Sequence, residues 1–202
     1  MADFCKIPKN PVIDVLTKEK GSKFLGFLFP VNNEEEVAEE LNNIKKLHHQ
    51  ATHHCYAYRL GFEGENFRIN DDGEPSGTAG MPIYNQLLSH DLSFCLLIVV
   101  RYYGGTKLGV SGLIQAYKEC AAAVLETSSS VVRHKWQKLS LQFPYTSQNE
   151  VFQWIEKYKL QIDDQQFAED CRMWLQIRQK DAESLKRDLD NHFKIIADWD
   201  EV

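Results

Sequence analysis

The sequence predicts an α+β fold in two domains, and three observations carry that prediction. Over residues 24–125 short apolar strands are interspersed with amphipathic helices. Near Thr127 the pattern breaks into "TSSSVVRHK", a small and polar stretch that reads as a connection. Beyond it the elements run strand, helix, strand, strand, helix, strand, which is the split-βαβ or ferredoxin-like order. The expected boundaries are residues 1–130 for the first domain, 131–136 for the linker and 137–202 for the ferredoxin-like domain.

Phe24 to Val31, "FLGFLFPV", reads as the first strand. Asn33 is placed to cap the following helix, with Glu36 three residues on, where a capping-box carboxylate belongs. Val37, Leu41, Ile44 and Leu47 recur at helical spacing. The Glu34–Glu36 run at the helix start and Lys45 and Lys46 at its end suit the macrodipole, so the acidic run reads as a solvated helix start. "CYAYRLGF" and "NFRI" form a hairpin through "EGE". A short helix follows, with Pro82 in its first turn and Ile83, Leu87 and Leu88 as its buried face. "FCLLIVVRYY" is a buried strand. The next helix carries Leu113, Tyr117, Cys120 and Val124 on one stripe. In the second domain the expected strands are 138–143, 160–168, 172–178 and 193–197, and the helices 147–158 and 182–191. Trp154 falls beside Val151 and Ile155 and is expected in the core.

Composition narrows the function. The net charge is −6, divided as 14 basic against 16 acidic residues before position 137 and 9 against 13 after it. Neither half is a basic module, which argues against broad coating of duplex DNA. Five scattered cysteines, with no C-x-x-C pair, point to reduced thiols in a cytoplasmic protein rather than a disulfide or zinc framework. "MADFCKIPKN" has no apolar signal-peptide core, and the run Phe94 to Val100 is too short to span a bilayer. No membrane association is expected.

Three stretches could carry chemistry. In "NDDGEPSGTAG", Asp71, Asp72 and Glu74 could hold a hard cation, although EF-hand spacing is absent. Alternatively Ser76, Gly77, Thr78, Ala79 and Gly80 form a nest of amides that attracts an anion. Or the stretch is a structural turn, with positive φ at Asp72-Gly73 and a helix cap from Ser76 or Thr78. In "RYYGGTKLGVSGL", Gly104, Gly105, Gly109 and Gly112 permit close approach, Arg101 and Lys107 supply charge, and Tyr102 and Tyr103 supply stacking faces. That combination suits single-stranded nucleic acid or a nucleotide; the alternative is a turn with core tyrosines. In "HHQATHHC", His49 and His53 stand at the i, i+4 spacing of a zincin helix, but Gln50 replaces the general-base Glu and no third ligand is evident. Capping of the helix C-terminus and lining of a cleft is the stronger reading, and no metal or cofactor is expected.

Taken together, "KGSKFLGFLFPV", "HQATHHCYAYRLG", "DDGEPSGTAGMP" and "VVRYYGGTKLGVSGLIQAY" resemble the signature of the IMPACT/YigZ family, in the right order over most of residues 15–125. The tail resembles the small C-terminal domain of bacterial members. The resemblance implies an N-terminal domain similar to the second domain of ribosomal protein S5 and to domain IV of elongation factor G, with a tail similar to that factor's domain V. It also implies work in translation, with RNA, the ribosome, a translation factor, a nucleotide or another anion as partner. Eukaryotic relatives restrain a starvation-activated kinase with the help of an RWD domain. There is no room here for such a segment, so the kinase role is not expected to transfer.

Two functions from different classes follow. In the first, the three loops form one binding cleft in which Arg101 and Lys107 meet phosphate and Tyr102 and Tyr103 stack. The ligand-binding set is then His49, His53, Asp71, Asp72, Glu74, Ser76, Gly77, Thr78, Arg101, Tyr102, Tyr103, Gly104, Gly105, Lys107 and Gly109. In the second, His49, His53 and Asp72 serve a hydrolase, peptidase-like or phosphate-directed, with Ser76 or Thr78 at the reacting group. A third possibility is a scaffold whose tail docks a protein.

Overall fold

Two neighbouring strands, His53–Leu60 and Cys95–Tyr102, are almost wholly buried, which requires helices on both faces of their sheet. The computed structural model of the chain describes residues 2–168 and 170–200. Its contacts divide into two units, residues 1–133 and 134–202. Both mix helices with antiparallel sheet, the expected α+β class.

The N-terminal unit begins with two strands, β1 (Phe4–Pro8) and β2 (Val12–Glu19), which precede the first strand read from the sequence. Charged and apolar side chains mix along β2 and its exposed residues include Ile13 and Leu16, so its apolar periodicity is weak. β3 (Ser22–Pro30), β4 (His53–Leu60), β5 (Asn66–Asn70) and β6 (Cys95–Tyr102) complete a five-stranded antiparallel sheet in the order β2-β3-β6-β4-β5. α1 (Glu34–Leu47) covers one face, where Val37 and Ile44 join Phe27, Tyr56, Leu96 and Ile98. α2 (Gly80–Ser89) and α3 (Gly109–Thr127) cover the other, where Ile83, Leu113, Tyr117 and Val124 meet Phe24, Cys55 and Val99. Leu88, expected in the core, lies outside it at 44% exposure, because the buried side of α2 is set by Ile83 and Leu87.

Asn33 caps α1 as anticipated, its side chain accepting from the Glu36 amide at 2.8 Å. The return bond is shifted by one residue, since the Glu36 carboxylate accepts from the Asn32 amide at 2.8 Å. Residues 131–136, expected as a linker, are largely strand. β7 (Ser130–His134) pairs with β1, and β8 starts at Trp136. A polar, β-branched stretch such as Ser130-Val131-Val132 suits a two-stranded ribbon as well as a loop.

The C-terminal unit is β8 (Trp136–Pro144), α4 (Gln148–Tyr158), β9 (Gln161–Gln166), β10 (Asp170–Arg178), α5 (Gln179–Leu189) and β11 (Ile196–Trp199). Its sheet order is β11-β8-β10-β9, the antiparallel arrangement of a ferredoxin-like fold. Leu139, Leu141, Phe143, Met173, Leu175 and Ile177 turn inward against Val151, Trp154 and Leu185 of the helices, which puts Trp154 in the core as expected. Among the described residues, no helix is long and apolar enough to cross a membrane.

Candidate binding site

Arg101, near the end of β6, is buried at 5% exposure and its charge is answered from within. Its Nη1 donates to Glu74 Oε1 at 2.6 Å, and its Nη2 donates to Ser22 Oγ at 3.3 Å. The guanidinium carbon lies 5.5 Å from the ring centres of both Phe24 and Tyr103. Glu74 Oε1 also accepts from Tyr117 Oη at 2.8 Å, and His53 Nε2 stands 3.7 Å away. Arg101 was expected to meet phosphate. Instead it is a buried ion-pair partner that ties the 71–80 loop to the sheet and, through Tyr117, to α3.

The anion nest exists, but it is filled by the chain itself. Asp71 Oδ2 accepts from the Gly77 amide at 2.9 Å, and Oδ1 accepts from the amides of Ala79 at 3.0 Å and Gly80 at 2.8 Å. The carboxylate therefore sits at the N-terminus of α2, the place expected for an external anion. It also replaces the expected cap: Ser76 makes no cap to α2, while Thr78 Oγ1 donates to the Pro75 carbonyl at 2.6 Å. Asp72 Oδ2 accepts from the His54 amide at 2.6 Å, and Asp72 and Gly73 take the expected positive φ of 44° and 88°. Asp71, Asp72 and Glu74 thus each face a different protein donor, and a cation shared among them is overturned. Among the described residues, no group of three or more His, Cys, Asp or Glu is arranged to hold a metal.

The histidines separate. His49 is exposed beyond the end of α1, whereas His53 sits in β4 and donates through Nδ1 to the Asp72 carbonyl at 2.8 Å. The switch from helix to strand between them prevents a zincin-like face. His54 supplies the helix C-cap, its Nε2 donating to the His48 carbonyl at 3.2 Å. Burial pulls the His54 imidazole below its ordinary value of 6.5. The unfolded chain then binds a proton that the folded chain refuses in that window. Stability is full above pH 6.5 and falls as pH drops toward the depressed folded value, with a slope of at most about 1.4 kcal/mol per pH unit from this group. Comparing melting temperatures of wild type and His54→Gln from pH 7 to 5 is expected to show a shallower loss in the variant.

Tyr102 is half-buried, its hydroxyl 2.9 Å from His48 Nδ1. Tyr103, by contrast, is 47% exposed. Gly104 shows why this position is bare: a Cβ there would lie 2.0 Å from the Gly21 carbonyl carbon, while its amide donates to Ser22 Oγ at 3.2 Å. The turn between β2 and β3 is thereby pinned to the end of β6.

The two glycine-bearing bends do meet. Glu74 and Pro75 from one, and Arg101, Tyr103, Lys107, Leu108, Gly109, Val110 and Leu113 from the other, line one pocket of about 270 Å³. Its accessible lining is mainly apolar, with Val110 60% exposed and Lys107 exposed at the rim. Of the residues singled out in the sequence, Glu74, Arg101, Tyr103, Lys107 and Gly109 are brought together here. His49, His53, Asp71, Asp72, Ser76, Gly77, Thr78, Tyr102, Gly104 and Gly105 do not line the pocket. Sequence reasoning missed Ser22, Pro75, Leu108, Val110 and the hydroxyl of Tyr117. The available signals were the apolar residues inside the glycine-rich stretch and the tyrosine one turn beyond Leu113.

Cys55 is not an activated nucleophile. The Cys55 thiol lies 3.0 Å from the Asp71 carbonyl and 3.3 Å from Tyr117 Oη, and burial pushes its pKa far up. All five cysteines are buried and unpaired, with Cys95 pushed up to about 12 and Cys120 to about 11 by burial. What fold and site define is an α+β protein with a largely apolar pocket that has Lys107 at its rim and the Arg101–Glu74 ion pair in its wall.

Comparison with known proteins places that architecture in a family. Residues 20–125 match the Impact N-terminal domain, so the chain belongs to the IMPACT family. An IMPACT family member of Haemophilus influenzae is 33% identical over 192 residues, covering 94% of this chain and 92% of its own. IMPACT family member YvyE of Bacillus subtilis is 37% identical over 146 residues, which is 72% of this chain and 64% of the relative's length. A solved structure described as a hypothetical protein matches across 100% of this chain and 99% of its own with a TM-score of 0.71 at 24% identity, a likeness of fold.

Proposed function

We propose that the chain is a cytoplasmic binding protein acting in translation or its regulation, and that the pocket between residues 74–75 and 101–113 is where it takes its ligand. The observation that carries this reading is the meeting of the two bends on one pocket whose only exposed lining cation is Lys107. Tyr103 offers an exposed ring and Lys107 a mobile ammonium, the pairing that lets a base stack while its phosphate is neutralised. Single-stranded RNA within a ribosomal complex satisfies both, and family membership supports a translation setting. Gly105 and Gly109 have open space where a Cβ would stand, so an RNA backbone can approach the loop closely.

Lys107→Glu combined with Tyr103→Ala is the decisive variant, because both side chains are exposed, and an unchanged far-ultraviolet dichroism spectrum is the check that the lost contact of the Tyr103 ring with Arg101 leaves the fold intact. Co-sedimentation with ribosomes at low salt is expected to fall about tenfold or more, from one lost phosphate contact and one lost stack. A double variant that sediments like wild type overturns the assignment. The hydrolase alternative gains no support from the geometry, since Asp72 accepts from the His54 amide, His53 donates to the Asp72 carbonyl, Thr78 donates to the Pro75 carbonyl and His49 is exposed beyond the end of α1.

A further inference from the structure

The helices of the C-terminal unit cover only one side of its sheet. Alternate residues of β8 and β10 form the core with α4 and α5, while Lys138, Ser140, Arg172 and Trp174 point to the other side. A groove of about 480 Å³ runs along that uncovered face, larger than the pocket of the N-terminal unit. Trp174 and Ser140 form part of its floor. Asp163, Asp164, Asp198 and Asp200 line it with Lys138 as the sole cation, so its local charge is −3.

Among the described residues these charges are not neutralised by ion pairs. Asp163 accepts from the Gln176 amide, at 2.7 and 2.9 Å, and Asp164 accepts from the amide of Gln165 at 2.8 Å. Among the described residues no salt bridge joins any of the four carboxylates. Arg172, on the same face, donates to Gln142 at 2.9 Å, and its guanidinium lies 5.9 Å from the centre of the Trp174 ring, so one guanidinium of the chain already stands over the groove's indole. The groove thus presents carboxylates without a salt bridge among the described residues beside the Trp174–Arg172 pair, on a sheet face that the unit's helices leave uncovered. Such a surface repels phosphate and attracts guanidinium and ammonium groups, and the Arg172–Trp174 contact is an example of a guanidinium held beside this indole.

We propose that this face docks a lysine- and arginine-rich segment of a partner protein. The chain then carries two separate recognition surfaces of opposite preference, a cationic rim in the N-terminal unit and an anionic groove in the C-terminal one. RNA is excluded from the second by charge, which divides the labour between the units.

The test titrates the full-length protein into a labelled lysine- and arginine-rich peptide and, separately, into a labelled oligouridylate, following anisotropy. Three variants are compared with wild type. Asp163→Asn, Asp164→Asn and Asp198→Asn together are expected to weaken peptide binding about tenfold. Lys138→Glu, at an exposed position, is expected to tighten it, and binding by every form is expected to weaken with salt. A control carrying Glu35→Gln, Glu39→Gln and Glu126→Gln changes net charge equally on exposed helix positions of the other unit and is expected to bind the peptide like wild type. The proposal is overturned if wild type leaves the peptide free, if the control loses as much as the groove variant, if Lys138→Glu weakens binding, or if the groove variant loses oligouridylate instead of peptide.

Discussion

Glu74→Ala is expected to destabilise the N-terminal unit by about 3–5 kcal/mol, because it leaves the Arg101 guanidinium buried without its counter-charge. It also removes the acceptor of the Tyr117 hydroxyl, in a site where Arg101 Nε already lacks a hydrogen-bond partner. Arg101→Met should be costly for the mirror reason, a carboxylate left buried with the Tyr117 hydroxyl as donor and His53 Nε2 3.7 Å away. The double variant Glu74→Leu with Arg101→Met removes both charges at once, and its loss is expected to fall well short of the sum of the singles. Urea unfolding measures all of these. Trp136, Trp154, Trp174 and Trp199 all lie in residues 134–202, so tryptophan fluorescence follows the C-terminal unit while far-ultraviolet dichroism sees both. The expected shift therefore appears in the dichroism transition and leaves the fluorescence transition in place. An additive double variant would mean that the two side chains contribute independently.

The contrast between what the sequence showed and what it concealed follows from the range of the interactions. The Asn33 cap, the buried strand at Cys95–Tyr102 and the stripe Leu113, Tyr117, Cys120 and Val124 depend on residues a few positions apart, and local periodicity reveals them. The fate of Arg101 depends on Glu74, 27 positions away, and on Ser22, 79 positions away. An arginine beside two tyrosines reads as a ligand clamp until the topology places a carboxylate against it. The anion nest illustrates the same limit at shorter range. Its amides were legible as an anion site, and an anion occupies it, but the occupant is the chain's own Asp71, six to nine residues upstream. The two bends meet because the 71–80 loop leads into α2 and the 103–108 loop into α3, and both helices pack on one face of the sheet. Convergence is thus a property of topology, which no single loop announces.

Asp71 allows that reading of the nest to be tested by emptying it. Asp71→Ala removes the acceptor of three amides, two of them on the buried residues Ala79 and Gly80. An unpaired buried donor costs about 1–3 kcal/mol, so the N-terminal unit is expected to lose about 3 kcal/mol, with the start of α2 most affected. Asp71→Asn keeps one oxygen and turns an amide group on the remaining donors, so it should fall between wild type and alanine. The vacated amides then form an anion site at a helix N-terminus, and added phosphate or formate is expected to raise the melting temperature of Asp71→Ala more than that of wild type, in proportion to the logarithm of anion concentration once the site saturates. Chloride at matched ionic strength separates binding from screening. Equal responses to phosphate in both proteins would show that the amides rearrange when the carboxylate leaves. The 76–80 stretch would then owe its conformation to Asp71, and the nest would be a consequence of the side chain it holds.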